Sequence, residues 1–236
     1  MKVLVVPDVH LKPEMFNKAA ALFDNTEAQA IVVLGDIVDD FGKQYDVGLY
    51  EQTLDCAAAF AKKYTPFWCY GNHDVSYLWE YRESGYSPMM APVVRAGIGR
   101  IERELGDRMA FIHRIDNVIF SHAGISKGFA KCQRGVRGEN IDADIAAMNQ
   151  AHKDNLWIEG SLLWWRPQLK TWRDGLIPLW NADYLQVVGH TPMRYPRQDF
   201  QLLSCDTFST YTDGTPYGSQ EFVVVDTISK EWYPLC

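Results

Sequence analysis

The sequence predicts an α/β protein built from two sheets packed face to face with helices outside. Short β-branched runs alternate with helical stretches between Val3 and Tyr70, the rhythm of a mostly parallel sheet. From about Met109 strands follow one another closely, as antiparallel neighbours do. With 236 residues, 47% hydrophobic and 22% charged, the chain has material for one full core, and a split would leave each half with an incomplete set of the polar clusters described below. A single domain over residues 1–236 follows.

Element by element, Val3–Val6 is a four-residue apolar run and reads as a buried strand, followed by a helix near Glu14–Asp24. Ile31–Leu34 is the second strand, Leu49–Tyr64 the second helix and Phe67–Tyr70 the third strand, which completes a βαβαβ unit. Met109–Ile115 and Val118–Phe120 flank Asp116-Asn117, a good hairpin turn. Between Gly124 and Asp183 the chain is helical and irregular, and it carries Trp157, Trp164, Trp165, Trp172 and Trp180. Strands resume at Leu185–Val188, Phe200–Ser204, Phe222–Val225 and Trp232–Leu235. No repeat or low-complexity segment interrupts this order, and no Gly- or Pro-rich stretch stands out as a linker.

Five polar clusters sit just after apolar runs: Asp8-Val9-His10, Gly35-Asp36-Ile37-Val38-Asp39, Gly71-Asn72-His73-Asp74, Ser121-His122-Ala123-Gly124 and Gly189-His190-Thr191. Strand ends of an α/β sheet converge on one rim, where such folds place their chemistry. Asp8 and His10 are two apart, so at an extended strand end they point to one side and can grip one ion together. Asp36 can offer one oxygen to each of two ions, and Asn72, His122 and His190 complete the second shell. An O/N ligand set without thiolate suits Mn²⁺, Fe, Zn²⁺ or Co²⁺ and does not choose among them. Water bridging two such cations becomes a nucleophile near neutral pH, directed at a phosphorus atom. His73 would then protonate the leaving oxygen, with Asp39 holding its imidazole. A helix cap is the alternative role for Asp39, and capping the helix expected near Val75 is the expected role of Asp74.

In this order the motifs resemble those of the calcineurin-like metallophosphoesterase superfamily, most of all its phosphoprotein phosphatase branch with bacterial and phage members. The resemblance runs from Asp8 to His190. It implies an α/β/β/α sandwich, two divalent ions, commonly Mn²⁺ in bacterial members, and hydrolysis without a covalent phosphoenzyme. By position it gives Asp8, His10 and Asp36 to one metal, Asp36, Asn72, His122 and His190 to the other, and the acid pair to His73 and Asp39. Phosphodiesterase relatives usually carry a second His after Gly-His, whereas here Thr191-Pro192 follows, which favours the phosphatase branch. That branch also normally places a phosphate-gripping Arg where this chain has Asp40, so either Asp40 points away or substrate is held otherwise. The branch's second phosphate-binding Arg matches Arg166 in Leu163-Trp164-Trp165-Arg166-Pro167, with Lys43, Arg134 and Arg137 in reserve.

A phosphorylated substrate is therefore expected, a protein or a small molecule, including phosphoserine or phosphothreonine. The alternative is a dinucleoside polyphosphate, as in the bacterial diadenosine tetraphosphatases, which share Gly-Asn-His-Asp and a His-Ala-Gly-Ile segment like His122–Ile125. A nucleobase could stack on Trp164, Trp165 and Trp172, although large aromatics more often pack a core. His113 and His152, outside the motifs, read as a strand and a helix residue with structural or solvent-facing roles. The completeness of the site argues against a scaffold that has lost activity. A net charge of −7 gives no strong nucleic-acid signal. No stretch reaches membrane-spanning length, and five scattered cysteines without a Cys-x-x-Cys pair fit a reducing cytoplasm. The sequence leaves the oligomeric state open.

Overall fold

The computed structural model describes residues 1–169 and 177–236. Its elements run β1 (Lys2–Val6), α1 (Glu14–Asp24), β2 (Ala30–Val33), α2 (Val47–Tyr64), β3 (Phe67–Cys69), α3 (Asn72–Trp79), α4 (Ala91–Leu105), β4 (Met109–Ala110), β5 (Ile112–Ile115), β6 (Val118–Ser121), α5 (Lys127–Cys132), α6 (Ile141–Asn149), α7 (Lys153–Leu156), β7 (Leu185–Val188), β8 (Arg197–Asp199), β9 (Leu202–Ser204), β10 (Phe222–Asp226) and β11 (Trp232–Leu235). Two mixed sheets result, ordered β11-β10-β1-β2-β3-β4 and β5-β6-β7-β9-β8. β1 to β4 are parallel neighbours, as are β6, β7 and β9, while β10, β11, β5 and β8 pair antiparallel.

The layering follows from the two-residue period of the strands. Leu4, Val6, Ile31, Val33 and Trp68 face the apolar sides of α1, α2 and α4, including Phe16, Leu54 and Ile98. Their alternates Val3, Val5, Val32 and Leu34 face Phe120, Leu185, Val187 and Leu203 of the other sheet. On the far side of that sheet Ile112 and Ile119 meet Phe129 of α5 and Ile145 and Met148 of α6. Helix, sheet, sheet and helix therefore stack in four layers, with the central strands of each sheet buried on both faces.

Four local expectations are corrected. Met109–Ile115 is two strands in different sheets: Met109 pairs with Trp68, Ile112 with Ser121, and Phe111 makes the crossing. The amides of Phe111 and Ile112 both donate to Asn149 Oδ1, at 3.1 and 2.9 Å, which satisfies the backbone where the ladder breaks. Of Phe200–Ser204 only Leu202–Ser204 is strand, the second arm of a hairpin with Arg197–Asp199 whose turn takes Phe200 at φ 54°. The helix expected near Val75 starts at Asn72, so Asp74 lies inside its first turn. His152 caps α7 from outside instead of lying within it. The helix α4 had no counterpart in the sequence reading. It packs on α2, with Gly97 so close that a Cβ there would lie 2.7 Å from both Leu54 methyls.

Candidate metal centre and catalytic site

The site gathers at the C-terminal ends of β1, β2, β3, β6 and β7, whose parallel course brings those ends to one rim. Its backbone is unusual: His10, Asp36, Asp39 and His190 have φ of 43°, 48°, 66° and 63°. Left-handed backbone costs a non-glycine residue about 1–3 kcal/mol and persists only where the surroundings over-determine it. Here the amides of Val9 and His10 both donate to the Asp36 carbonyl, at 3.0 and 2.9 Å. The buried Asp74 carboxylate accepts from the amides of Gly71, Asp36 and Ile37, each at 2.9 Å, pinning the β2 loop to the start of α3. Asp74, at the third position of α3, thus caps the helix start through the Gly71 amide, as expected, and also braces it to the β2 loop.

Two glycines make the close approach possible. A Cβ on Gly71 would sit 2.1 Å from Asp36 Oδ1, and one on Gly189 would sit 1.9 Å from Asp8 Oδ1. Neither position tolerates a side chain while these carboxylates hold their places.

All six residues expected to hold metal are brought together. His122 Nε2 lies 2.8 Å from Asn72 Oδ1, 3.1 Å from His190 Nδ1 and 3.3 Å from Asp36 Oδ2. On the other side of Asp36, His10 Nε2 is 3.8 Å from Asp36 Oδ2 and 4.0 Å from Asp8 Oδ2. Asp36 thus stands between a set with Asp8 and His10 and a set with Asn72, His122 and His190.

The donor chemistry fits two cations. His10 Nδ1 lies 2.8 Å from the Asp39 carbonyl and His122 Nδ1 lies 2.9 Å from the Leu34 carbonyl, so each Nδ1 carries a proton and each Nε2 faces the carboxylates. Burial would discharge His122, but Asp36 and Asp8 dominate and push it up to about 9, so its Nε2 holds a proton that a bound cation would displace. Asp8 Oδ2 accepts from the His190 amide at 2.8 Å, while Asp8 Oδ1 is buried without a hydrogen-bond partner. Burial, with the Asp206 charge adding, pushes the Asp8 carboxyl well above the usual carboxylate range. Burial also acts to raise Asp36, but the imidazoles of His122, His73 and His10 outweigh it and hold the carboxyl below its ordinary value. Burial and the neighbouring His122 push His190 well down, so its imidazole is neutral. Buried carboxylates facing imidazole nitrogens in this way make a set that could hold a cation.

Beside this set His73 Nδ1 meets Asp39 Oδ2 at 3.0 Å. Asp39 Oδ1 accepts from the hydroxyls of Tyr50 at 2.5 Å and Tyr77 at 2.6 Å. Burial and then the Asp39 charge push both phenols upward, so they remain donors at any working pH. Burial alone would discharge His73, but Asp36 and the hydrogen bond to Asp39 dominate and push it up to about 10. Its imidazole therefore holds a proton at neutral pH. Nothing in the sequence pointed to Tyr50, Tyr77 or Glu83, the last of which accepts from Asn72 Nδ2 at 2.9 Å.

A cleft of about 230 Å³ opens onto these groups, lined by His10, Asp36, Asp39, His73, Arg166 and His190 among others. Arg166 reaches the site as expected, and its Nη1 donates to the His190 carbonyl at 2.7 Å. Asp40 also borders the cleft, but its oxygens are engaged. Oδ1 accepts from Thr210 Oγ1 at 2.6 Å and the Phe41 amide at 2.8 Å, and Oδ2 lies 3.4 Å from Lys12 Nζ. Of the tryptophans, Trp165 packs with Leu179, Val188 and Leu202. Trp164 stands edge-on to the His190 ring with centroids 5.8 Å apart, and Trp172 lies outside the described residues. His113 is buried in β5, where its Nε2 meets the Trp68 carbonyl at 3.1 Å.

The model of the calcineurin-like phosphoesterase family matches residues 1–215. No curated protein matches the chain. Among solved structures, a cold-active protein-tyrosine phosphatase of a psychrophilic Shewanella species is similar, with 18% identity, a TM-score of 0.57, and 100% of this chain and 80% of that one covered. A protein serine/threonine phosphatase from Saccharomyces cerevisiae, described as similar to human phosphatase PP5, gives 15% identity and a TM-score of 0.53 over 95% of this chain and 72% of that one. At such identities these likenesses speak for the fold alone, and that fold is the four-layer one described above.

Proposed function

Because the chain belongs to the calcineurin-like phosphoesterase family and is a phosphoester hydrolase, we propose that it is a metal-dependent phosphatase acting on phosphomonoesters, with phosphoserine or phosphothreonine in a protein among its substrates. The observation that carries this reading is the convergence of Asn72 Oδ1, His122 Nε2, His190 Nδ1 and Asp36 Oδ2 beside a His73–Asp39 pair. Asp8, His10 and Asp36 would hold one divalent ion and Asp36, Asn72, His122 and His190 the other. Bound there, the ions would supply Lewis acidity and activate water as the nucleophile. Manganese as the native ion and a cytoplasmic location belong to the same proposal.

The chain's own residues do the rest. Asp39, fixed by two tyrosine hydroxyls, orients the His73 ring through Nδ1 and leaves Nε2 to carry the proton delivered to the leaving oxygen. Arg166, anchored on the His190 carbonyl at the edge of the cleft, grips the phosphate oxygens. Where diester-cleaving relatives carry a further His, two residues after His190, this chain has Pro192, which borders the cleft and offers no side-chain ligand atom, and this supports the monoester preference.

A second recess favours an alternative substrate. Trp157, Trp164 and Trp165 line it together with Arg166, which also borders the cleft, so a nucleobase there would lie beside its own phosphate chain. This arrangement supports hydrolysis of dinucleoside polyphosphates. Metal-stripped protein reconstituted with Mn²⁺ should be assayed side by side on p-nitrophenyl phosphate, bis-p-nitrophenyl phosphate, a phosphopeptide and diadenosine tetraphosphate. Preference for the monoester or phosphopeptide is the expected result; preference for the dinucleotide selects the alternative, and silence on all four removes both.

A further inference from the structure

Glu83 lies in the loop after α3, outside every motif that marks the site, yet its side chain is only 7% exposed. Its Oε2 accepts from Asn72 Nδ2 at 2.9 Å. Its Oε1 is buried without a hydrogen-bond partner and stands 3.5 Å from His73 Nδ1, the nitrogen that also meets Asp39. The loop folds back onto the acid pair through Gly85 at φ 89°, where a Cβ would be 3.3 Å from Asp39 Cβ and 3.5 Å from His73 Cε1. A carboxylate is costly to bury unless its neighbours repay it, and the neighbours of Glu83 are a would-be ligand and the would-be acid.

We propose that Glu83 is a positioning residue that fixes which end of the Asn72 amide faces the second ion, while adding a second acceptor beside the His73 ring. This rests on the metal assignment proposed above. The two ends of a carboxamide are nearly equal in size and differ by a half-turn of one torsion. A cation accepts only the oxygen. The Glu83 oxygen accepts the NH₂ and leaves Asn72 Oδ1 beside His122 Nε2, 2.8 Å away. In the flipped amide two acceptors would face each other at hydrogen-bond distance, and a nitrogen with no free lone pair would face the ion. Outer partners of this kind are worth about 10–100-fold in metal affinity.

The test is calorimetric titration of Mn²⁺ into metal-stripped protein, which reads binding and not turnover. Wild type should take up two ions. In Glu83→Ala one of the two sites should weaken by about 10–100-fold while the other keeps its affinity; a residue that merely supports the fold would weaken both or neither. Glu83→Gln retains an oxygen for Nδ2 and should stay within about threefold of wild type, a difference near 0.65 kcal/mol; it also serves if the alanine variant does not fold. In an Asn72→Asp background, where both ends of the side chain are oxygen, Glu83→Ala should cost nothing. Equal loss in both backgrounds, or two unweakened sites in Glu83→Ala, overturns the role of Glu83. Fewer than two ions in wild type overturns the metal assignment and this inference with it.

Discussion

Asp36 carries a double demand, because both proposed ligand sets include it and its backbone is left-handed at φ 48°. Asp36→Asn should lose both ions and all turnover; full metal content by elemental analysis of the purified variant would remove the shared carboxylate. His73→Asn should keep two ions and lower kcat by about 10²–10⁴-fold, the usual worth of a general acid. Unchanged turnover would take the proton donor elsewhere. Arg166→Ala should raise KM for phosphorylated substrates and weaken inhibition by free phosphate, with both constants unmoved as the contrary result. The residues proposed to hold ions stand out in the sequence because few side chains bind divalent cations and each follows a strand-like apolar run. Tyr50, Tyr77 and Glu83 do not, since a tyrosine on a helix face or an acid in a loop looks the same whether or not it braces a ligand. Asp40 shows the opposite limit: its charge was read correctly, but only the partners Lys12 and Thr210 explain how it sits at the cleft.

Elements were legible where one period dominates. The helix over Glu14–Asp24 and the strands Leu185–Val188 and Trp232–Leu235 have the predicted limits, whereas Met109–Ile115 looked continuous because both halves suit a strand. What divides it is tertiary: Asn149 of α6 takes the amides at the break. Helix α4 escaped notice because Pro92, Gly97 and Gly99 imitate a loop, although Gly97 is there to let α2 and α4 touch. Gly97→Val should therefore destabilise the fold by about 1–3 kcal/mol, read from the urea midpoint; an unmoved midpoint would mean the helices can part freely. The sheets are also joined by His113 of β5 through the Trp68 carbonyl of β3. Burial holds its imidazole below the ordinary histidine range, although that hydrogen bond opposes the shift. The unfolded chain binds the proton that the fold resists, so stability should fall as pH drops below about 6.5. His113→Gln should flatten that slope in pH-dependent unfolding, and an unaltered slope would clear His113 of the effect.

At the scale of the molecule, the centre is a stack of buried acids and imidazoles whose proposed ligands run from Asp8 to His190, so ion binding there would tie both sheets together. Ions that bind only the folded chain stabilise it by about 2.7 kcal/mol each at a hundredfold excess over Kd. Chelation should accordingly lower Tm, and Mn²⁺ should restore it in a concentration-dependent way; a Tm indifferent to chelator would mean the site holds its shape without ions. The strand order has a further consequence. β1 lies between β2 and β10, and Val3 pairs with Val225. A ribosome adding roughly 5–20 residues per second reaches that partner on the order of ten to forty seconds after Val3 is made. Through that interval the nascent chain carries the strand behind its first metal motif with one edge open and apolar on both faces, a template for pairing with a neighbouring polysome product. Newly made protein of this fold is thus most at risk of sticking to its own kind during synthesis, and the hazard ends only when β10 closes the sheet.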